Sequence, residues 1–196
     1  MTDCWILTPA DLFAVFIPVK SSATNAHGAN KPFAGAKRPL DGTPFQYQVA
    51  LSDKSLSEDV KLLRRERPTL PLSGDRRAGI ILFDGSKIIA SYIIPGNLVR
   101  QERQLFVHAD YRRRGLASRM IEQWMRETPT ARNITRQPLN VVAARAFLAA
   151  HRALIIWAVA QGKNVPQSVA DAVTAGNEAN AILARFAAVD APAEKA

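Results

Sequence analysis

Cysteine is almost missing from this chain of 196 residues: Cys4 stands alone, and there are three histidines. A single thiol excludes an intrachain disulfide, and no Cys/His cluster offers a ligand set for structural zinc, so no metal is expected. A reducing, cytoplasmic setting is the expectation that follows. Long apolar runs are scarce as well. Met1 to Lys20 is apolar, but it lacks an early Lys or Arg, and Pro9 and Asp11 interrupt it, so it does not read as a signal peptide. No uninterrupted apolar stretch is long enough to cross a membrane, and no membrane partner is expected.

Negative charge is also in short supply, with 17 acidic residues against 26 basic ones and a net charge of +9. The excess is local. Met1 to Arg77 holds 11 basic and 8 acidic residues, Ala78 to Arg152 holds 12 and 5, and Ala153 to Ala196 holds 3 and 4. The central segment therefore carries the surplus, which suits a phosphate-bearing ligand or a nucleic acid. An apolar content of 47% is enough for a core, and the length suits one domain with some elaboration.

Thr8-Pro9 starts a short helix after an extended Trp5-Ile6-Leu7, and Pro18 stops the segment. Ser21 to Pro44 is rich in Ser, Ala, Gly, Asn and Pro and carries Lys31, Lys37 and Arg38. It reads as a long basic loop, either a solvated connection or an arm for a substrate or partner. Phe45, Tyr47, Val49 and Leu51 alternate with polar residues as a half-buried strand. Ser55 and Glu58 have capping-box spacing for a helix to about Glu66. Gly79 to Phe83, the turn Asp84-Gly85, and Ser86 to Ile94 form a β-hairpin. Arg103 to Val107 is the next strand.

The central stretch follows it: an apolar strand ends at Val107, a short turn runs through Arg112, Arg113 and Arg114, and a helix opens at Gly115. Leu116, Met120, Ile121, Trp124 and Met125 lie one turn apart on one face of that helix, which runs to about Glu127. The first N–H groups of such a helix have no partner within it, and with the helix dipole they favour an anion. Gly115 lets a phosphate approach the main chain without meeting a Cβ, and the three arginines surround it with cationic arms. Asn140 caps a second long helix that runs to about Gln161 and stops at Gly162. Pro166 opens a last Ala-rich helix with Val169, Val173, Ile182, Leu183 and Phe186 apolar, and the tail from Asp190 frays. Ile155, Ile156 and Trp157 extend the apolar surface of the long helix beyond one face, which calls for cover by the last helix or by a second subunit in a homodimer.

Arg112-x-x-Gly115-x-Ala117, between a strand and an amphipathic helix, resembles the pyrophosphate-binding motif of the GNAT superfamily of N-acetyltransferases. That motif has Gln or Arg, two residues, Gly, one residue, then Gly or Ala, and every position fits. The resemblance spans roughly Phe45 to Leu154. It implies an α/β (α+β) fold, a mixed central sheet flanked by helices, with residues 1–154 forming the acyltransferase domain, loop 21–44 included. Residues 155–196 would be a C-terminal helical extension packed on it. A further strand at Ala131 to Thr135 rests mainly on the resemblance.

The function implied is N-acyl transfer, with acetyl-CoA or another acyl-CoA as co-substrate and a primary amine, small or macromolecular, as acceptor. The cofactor contacts implied are Phe106 and Val107 on the strand that pairs with the pantetheine arm, and Arg112, Arg113, Arg114, Gly115, Leu116, Ala117 and Ser118 at the turn. Arg119 is a further phosphate contact, and Asn140 reaches the pantetheine. The family's general acid, a tyrosine, falls at Leu148, which is a departure and passes thiolate protonation to water or another residue. The base candidates are His108, Glu102 and Asp110; Tyr92 lies on a strand as core or cleft lining, with a place facing the acceptor as a proton donor the alternative. Two other readings stay open: a modifier of nucleobases like the phage DNA-modification enzymes of similar fold, or of proteins, and a CoA-fold module without catalysis.

Overall fold

Four consecutive apolar side chains, Ile80 to Phe83, have no exposed surface, which a strand satisfies only when both faces of its sheet are covered. The computed structural model, which describes residues 3–20, 29–52, 61, 64–74, 77–95, 104–129 and 137–190, places them at the centre of a sheet. In chain order the elements are α1 (Pro9–Phe13), β1 (Phe16–Pro18), β2 (Arg38–Pro39), β3 (Gln46–Ser52), β4 (Leu72–Ser73), β5 (Arg77–Asp84), β6 (Lys87–Pro95) and β7 (Gln104–Val107). There follow α2 (Leu116–Glu127), β8 (Gln137–Leu139), α3 (Val141–Ala160), α4 (Gln167–Ala175) and α5 (Asn177–Asp190). The protein is thus of the mixed α and β class. It divides into two compact units, Asn25–Pro129, and Met1–Thr24 together with Thr130–Ala196. A boundary at Leu154 is not seen, because that residue sits inside the unbroken hydrogen-bond ladder of α3.

In the Asn25–Pro129 unit the sheet order is β2-β3-β5-β6-β7, all antiparallel, with β4 added parallel to β3. Asp84 pairs with Lys87, so the hairpin turn is Gly85-Ser86, one residue later than Asp84-Gly85. One face of the sheet packs on α2, where Tyr92 meets Trp124 edge-on at 6.3 Å. The other is covered by the described end of the long loop. Phe33 is buried against Ala50, Ile81, Phe83 and Ile93. Gln48, buried below it, accepts from Phe33 N at 3.1 Å and donates to Gly35 O at 2.5 Å. Arg38 bridges Glu127 at 3.0 Å. This half of the loop is a structural cover, and its polar bonds are satisfied within the unit. Of the helix expected from Ser55 to Glu66, the described Lys61, Arg64, Arg65 and Glu66 are helical; the rest lies outside the described residues.

The other unit brings distant segments together. Thr8 caps α1 in a capping box with Asp11, and β1 pairs in parallel with β8. The strand expected at Ala131 to Thr135 lies outside the described residues; the strand observed is Gln137–Leu139. Phe13 meets Phe16 at 5.0 Å and Phe186 at 5.9 Å, and Phe16 meets Phe147 at 5.3 Å, an aromatic cluster from four elements. Cys4–Ile6 is a 3-10 turn and not the expected extended piece, with Trp5 edge-on to Trp157 at 6.3 Å. The single last helix becomes two, because Gly176 turns left-handed and returns its N–H to Ala172 O. By length and composition α3 is long and apolar enough to cross a membrane, although Arg145 and Arg152 interrupt its apolar run. Here it buries Ala144, Phe147, Leu148, Leu154, Ile155 and Ala158.

Two predictions follow from the packing. Gly79 has φ 139°, and a Cβ there would meet Tyr92 O at 2.0 Å across the β5–β6 ladder. Gly79→Ala should cost at least about 2 kcal/mol from backbone strain and overpacking, read from urea unfolding. His151 is 1% exposed, its Nε2 is 3.1 Å from Cys4 O, and burial pulls its pKa from 6.5 down to about 4. The unfolded chain then binds the proton first, so stability holds above pH 6.5 and falls as pH drops toward 4, by about 3 kcal/mol. His151→Gln should remove that part of the slope, seen as the difference between the two unfolding free energies across this range.

Candidate functional site

The site is built on the end of β7. His108 N donates to Ile89 O at 2.8 Å, which extends the β6–β7 register Ala90↔Val107, Ser91↔Phe106. In an antiparallel ladder inward and outward main-chain groups alternate, so Leu105 and Val107 present theirs away from β6. Among the described residues β7 ends the sheet, leaving that edge open to an added strand. Val107 O accepts from Arg112 Nε at 3.2 Å.

The chain then makes a single 3-10 turn, Ala109–Tyr111. His108 Nδ1 accepts from Asp110 N at 3.4 Å and lies 3.5 Å from its carboxylate, which Lys87 approaches at 3.6 Å. The Tyr111 hydroxyl donates to Asp84 at 2.7 Å, and that bond raises the phenol's pKa. The same ring meets Phe45 edge-on at 6.0 Å. Tyr111 therefore ties the turn to the β5–β6 hairpin.

Arg113 is left-handed, φ 63°, and Gly115 follows with φ 71° as the N-cap of α2. Only Gly115 takes that conformation without strain. It has no side chain to accept from the first turn. By contrast, Thr8 caps α1 and Asn140 Oδ1 caps α3, accepting from Ala143 N at 2.9 Å. The first helical bond of α2 is Arg119 N to Gly115 O, 3.1 Å, so the N–H groups of Leu116, Ala117 and Ser118 have no acceptor within the helix. A Cβ at Gly115 would have only Ser118 Oγ nearby, at 4.0 Å, so the space before the helix is open. The buried face is the one expected: Leu116, Met120, Ile121, Trp124 and Met125.

Phe106, Val107, Arg112, Arg113, Arg114, Gly115, Leu116, Ala117 and Ser118 are thus brought together at one junction, with His108 at its strand side. Leu116 serves it by main chain only, since its side chain is buried. Ser118 Oγ donates to Gly115 O at 2.9 Å, and Arg119 donates to Asp41 O at 3.3 Å. Tyr92 is 2% exposed in the sheet core against Trp124. Glu102 lies outside the described residues. Asn140 belongs to the other unit, as does Leu148, which lines an open apolar groove of about 410 Å³ with Pro9, Ile156 and Leu183. Among the described residues no group of three His, Cys, Asp or Glu is placed to hold a metal.

Sequence reasoning missed Lys87, Asp84 and Phe45 as neighbours of the turn. They are 24 to 66 positions from Tyr111, and the only available signal was the hairpin that folds Asp84 and Lys87 back toward it. Comparison with protein-family models, curated proteins and solved structures found no match. The site is therefore read from its chemistry.

Arg113→Gly removes a strained side chain and should leave stability within about 0.5 kcal/mol, because relief of strain offsets added chain entropy. Thermal melting of the variant beside wild type checks it.

Proposed function

We propose that the protein is an acyl-CoA-dependent N-acyltransferase that transfers acetyl, or another acyl group, directly to a primary amine. The observation that carries this reading is the uncapped start of α2 behind a left-handed glycine, directly after a strand with an open edge. A diphosphate fits such a place: three outward N–H groups, the positive end of a 12-residue helix, room where a Cβ would sit, and exposed guanidinium groups at Arg112, Arg113 and Arg114. The outward main-chain groups of Leu105 and Val107 suit the amides of a pantetheine arm, which would lie along β7 as an extra strand.

The thioester supplies an activated acyl carbon, to which the amine nitrogen bonds as the C–S bond breaks and the thiolate leaves. The amine must first be neutral. His108 is the ionisable side chain at the strand's end; in the tautomer that carries its hydrogen on Nδ1, 3.5 Å from the Asp110 carboxylate, Nε2 is the nitrogen that takes the proton. Leu148 carries no proton at the position where the resemblance puts an acid, so the leaving thiolate is protonated by solvent.

Titration calorimetry with acetyl-CoA tests the reading. Wild type should bind; Gly115→Glu should show no detectable binding, because its carboxylate occupies the anion position, while the melting temperature falls by only a few degrees. Equal binding by both proteins, or none by either, overturns it.

A further inference from the structure

The cationic surface of the Asn25–Pro129 unit does not end at the α2 turn. Lys87 Nζ lies 5.2 Å and the Arg114 guanidinium 5.3 Å from the centre of the Tyr111 ring. The Tyr111 hydroxyl reaches Asp84, and beside Asp84 the Gly85 carbonyl accepts from Lys37 Nζ at 2.6 Å. A chain of contacts therefore runs from Arg114, across the hairpin tip, to the basic loop. Arg112, Arg113, Arg114 and Lys37 make no ion pair with a described carboxylate. The carboxylates in the patch are already engaged, Asp84 by Tyr111 and Asp110 by Lys87 and His108. One cofactor diphosphate at the helix start leaves the far end of this surface, Lys37, without an anion, while Lys87 shares the exposed Asp110 carboxylate with His108.

We propose that this surface, from Arg114 over the hairpin tip to Lys37, is a docking surface for the sugar–phosphate backbone of a nucleic acid. An extended row of cations, of which only Lys87 is paired with a described carboxylate, matches a repeating phosphate charge. The half-buried ring of Phe45, edge-on to Tyr111, adds an aromatic face on which an unpaired base stacks, while Tyr111 carries Lys87 and Arg114 over its own ring. A lipid surface is disfavoured, since the exposed large hydrophobics among the described residues, such as Val142, Ile156 and Val159, all belong to the other unit. The inference does not rest on the acyl-CoA reading.

The test is fluorescence anisotropy with a labelled single-stranded and a labelled duplex oligonucleotide of random sequence, without cofactor, from low to moderate salt. Wild type should bind in the micromolar range at low salt and weaken steeply as salt rises. The double variant Lys37→Gln, Lys87→Gln should bind about tenfold more weakly, with a salt slope shallower by about two. Lys37→Arg, Lys87→Arg should bind like wild type, which separates charge from folding. Chemical acetylation of wild-type lysines reads the same contacts without substitution: the oligonucleotide should protect Lys37 and Lys87. No binding at low salt, binding unchanged in the Gln pair, no protection, or equally tight binding of poly-glutamate each overturns the proposal. So does a parallel loss of acetyl-CoA binding in the Gln pair, which would assign these lysines to the cofactor. Oligonucleotide binding that follows this pattern without any acetyl-CoA binding supports the present inference and removes only the transferase reading.

Discussion

A backbone N–H that has left water needs an acceptor, and the first turn of α2 has none of its own. Gly115 is the reason: it gives the chain the left-handed bend the junction needs and brings no side chain to close the helix. Thr8 and Asn140 do close theirs. What surrounds Gly115 holds this opening in place. The His108 N–H fixes the register of β7, the Tyr111–Asp84 bond pins the turn to the hairpin, and five buried side chains hold α2 against the sheet. The donors are thus oriented before any ligand arrives, the condition under which fixed dipoles are most effective.

Charge in the Asn25–Pro129 unit follows the same division between closed and open. Glu127 accepts from Tyr47 at 2.9 Å and pairs with Arg38, and Glu122 pairs with Arg126. These bonds tie the loop cover and the end of α2 to the unit. Desolvation and the neighbouring Glu127 raise the Tyr47 pKa, so that phenol stays a hydrogen-bond donor. Positive charge is treated differently. Arg112 and Arg119 reach backbone carbonyls, which orient a guanidinium without neutralising it. Acids secure the structure here, and Arg112 and Arg119 keep their charge unpaired with a described carboxylate.

The other unit is stabilised by rings and buried polar bonds between segments far apart in the chain. Ala10 N donates to Glu178 at 2.9 Å, Arg185 donates to Phe13 O at 3.1 Å, and His151 meets Cys4 O. Cys4 itself has no exposed surface, and burial pushes its thiol pKa up to about 12, so it packs as a small apolar group and is not a nucleophile. Exposed Val142, Ile156 and Val159 remain on α3.

Most local signals were legible where the reason for a structure lies within a few residues. Glycine, capping side chains and the 3.6-residue spacing set the ends of α2 and α3, the hairpin, and the junction at Gly115, because each is a short-range steric or hydrogen-bonding demand. Gly176 was a short-range signal too, overlooked in a run of alanines. What could not be read were the pairings: Phe33 beneath the sheet, β8 on β1, Lys87 and Asp84 at Tyr111, and the division of the chain into two units. The sequence by itself determined where a helix would start with its donors bare. Only the tertiary structure decided which side chains stand around that start, because contacts between distant residues depend on how whole faces pack, and no local pattern encodes that choice.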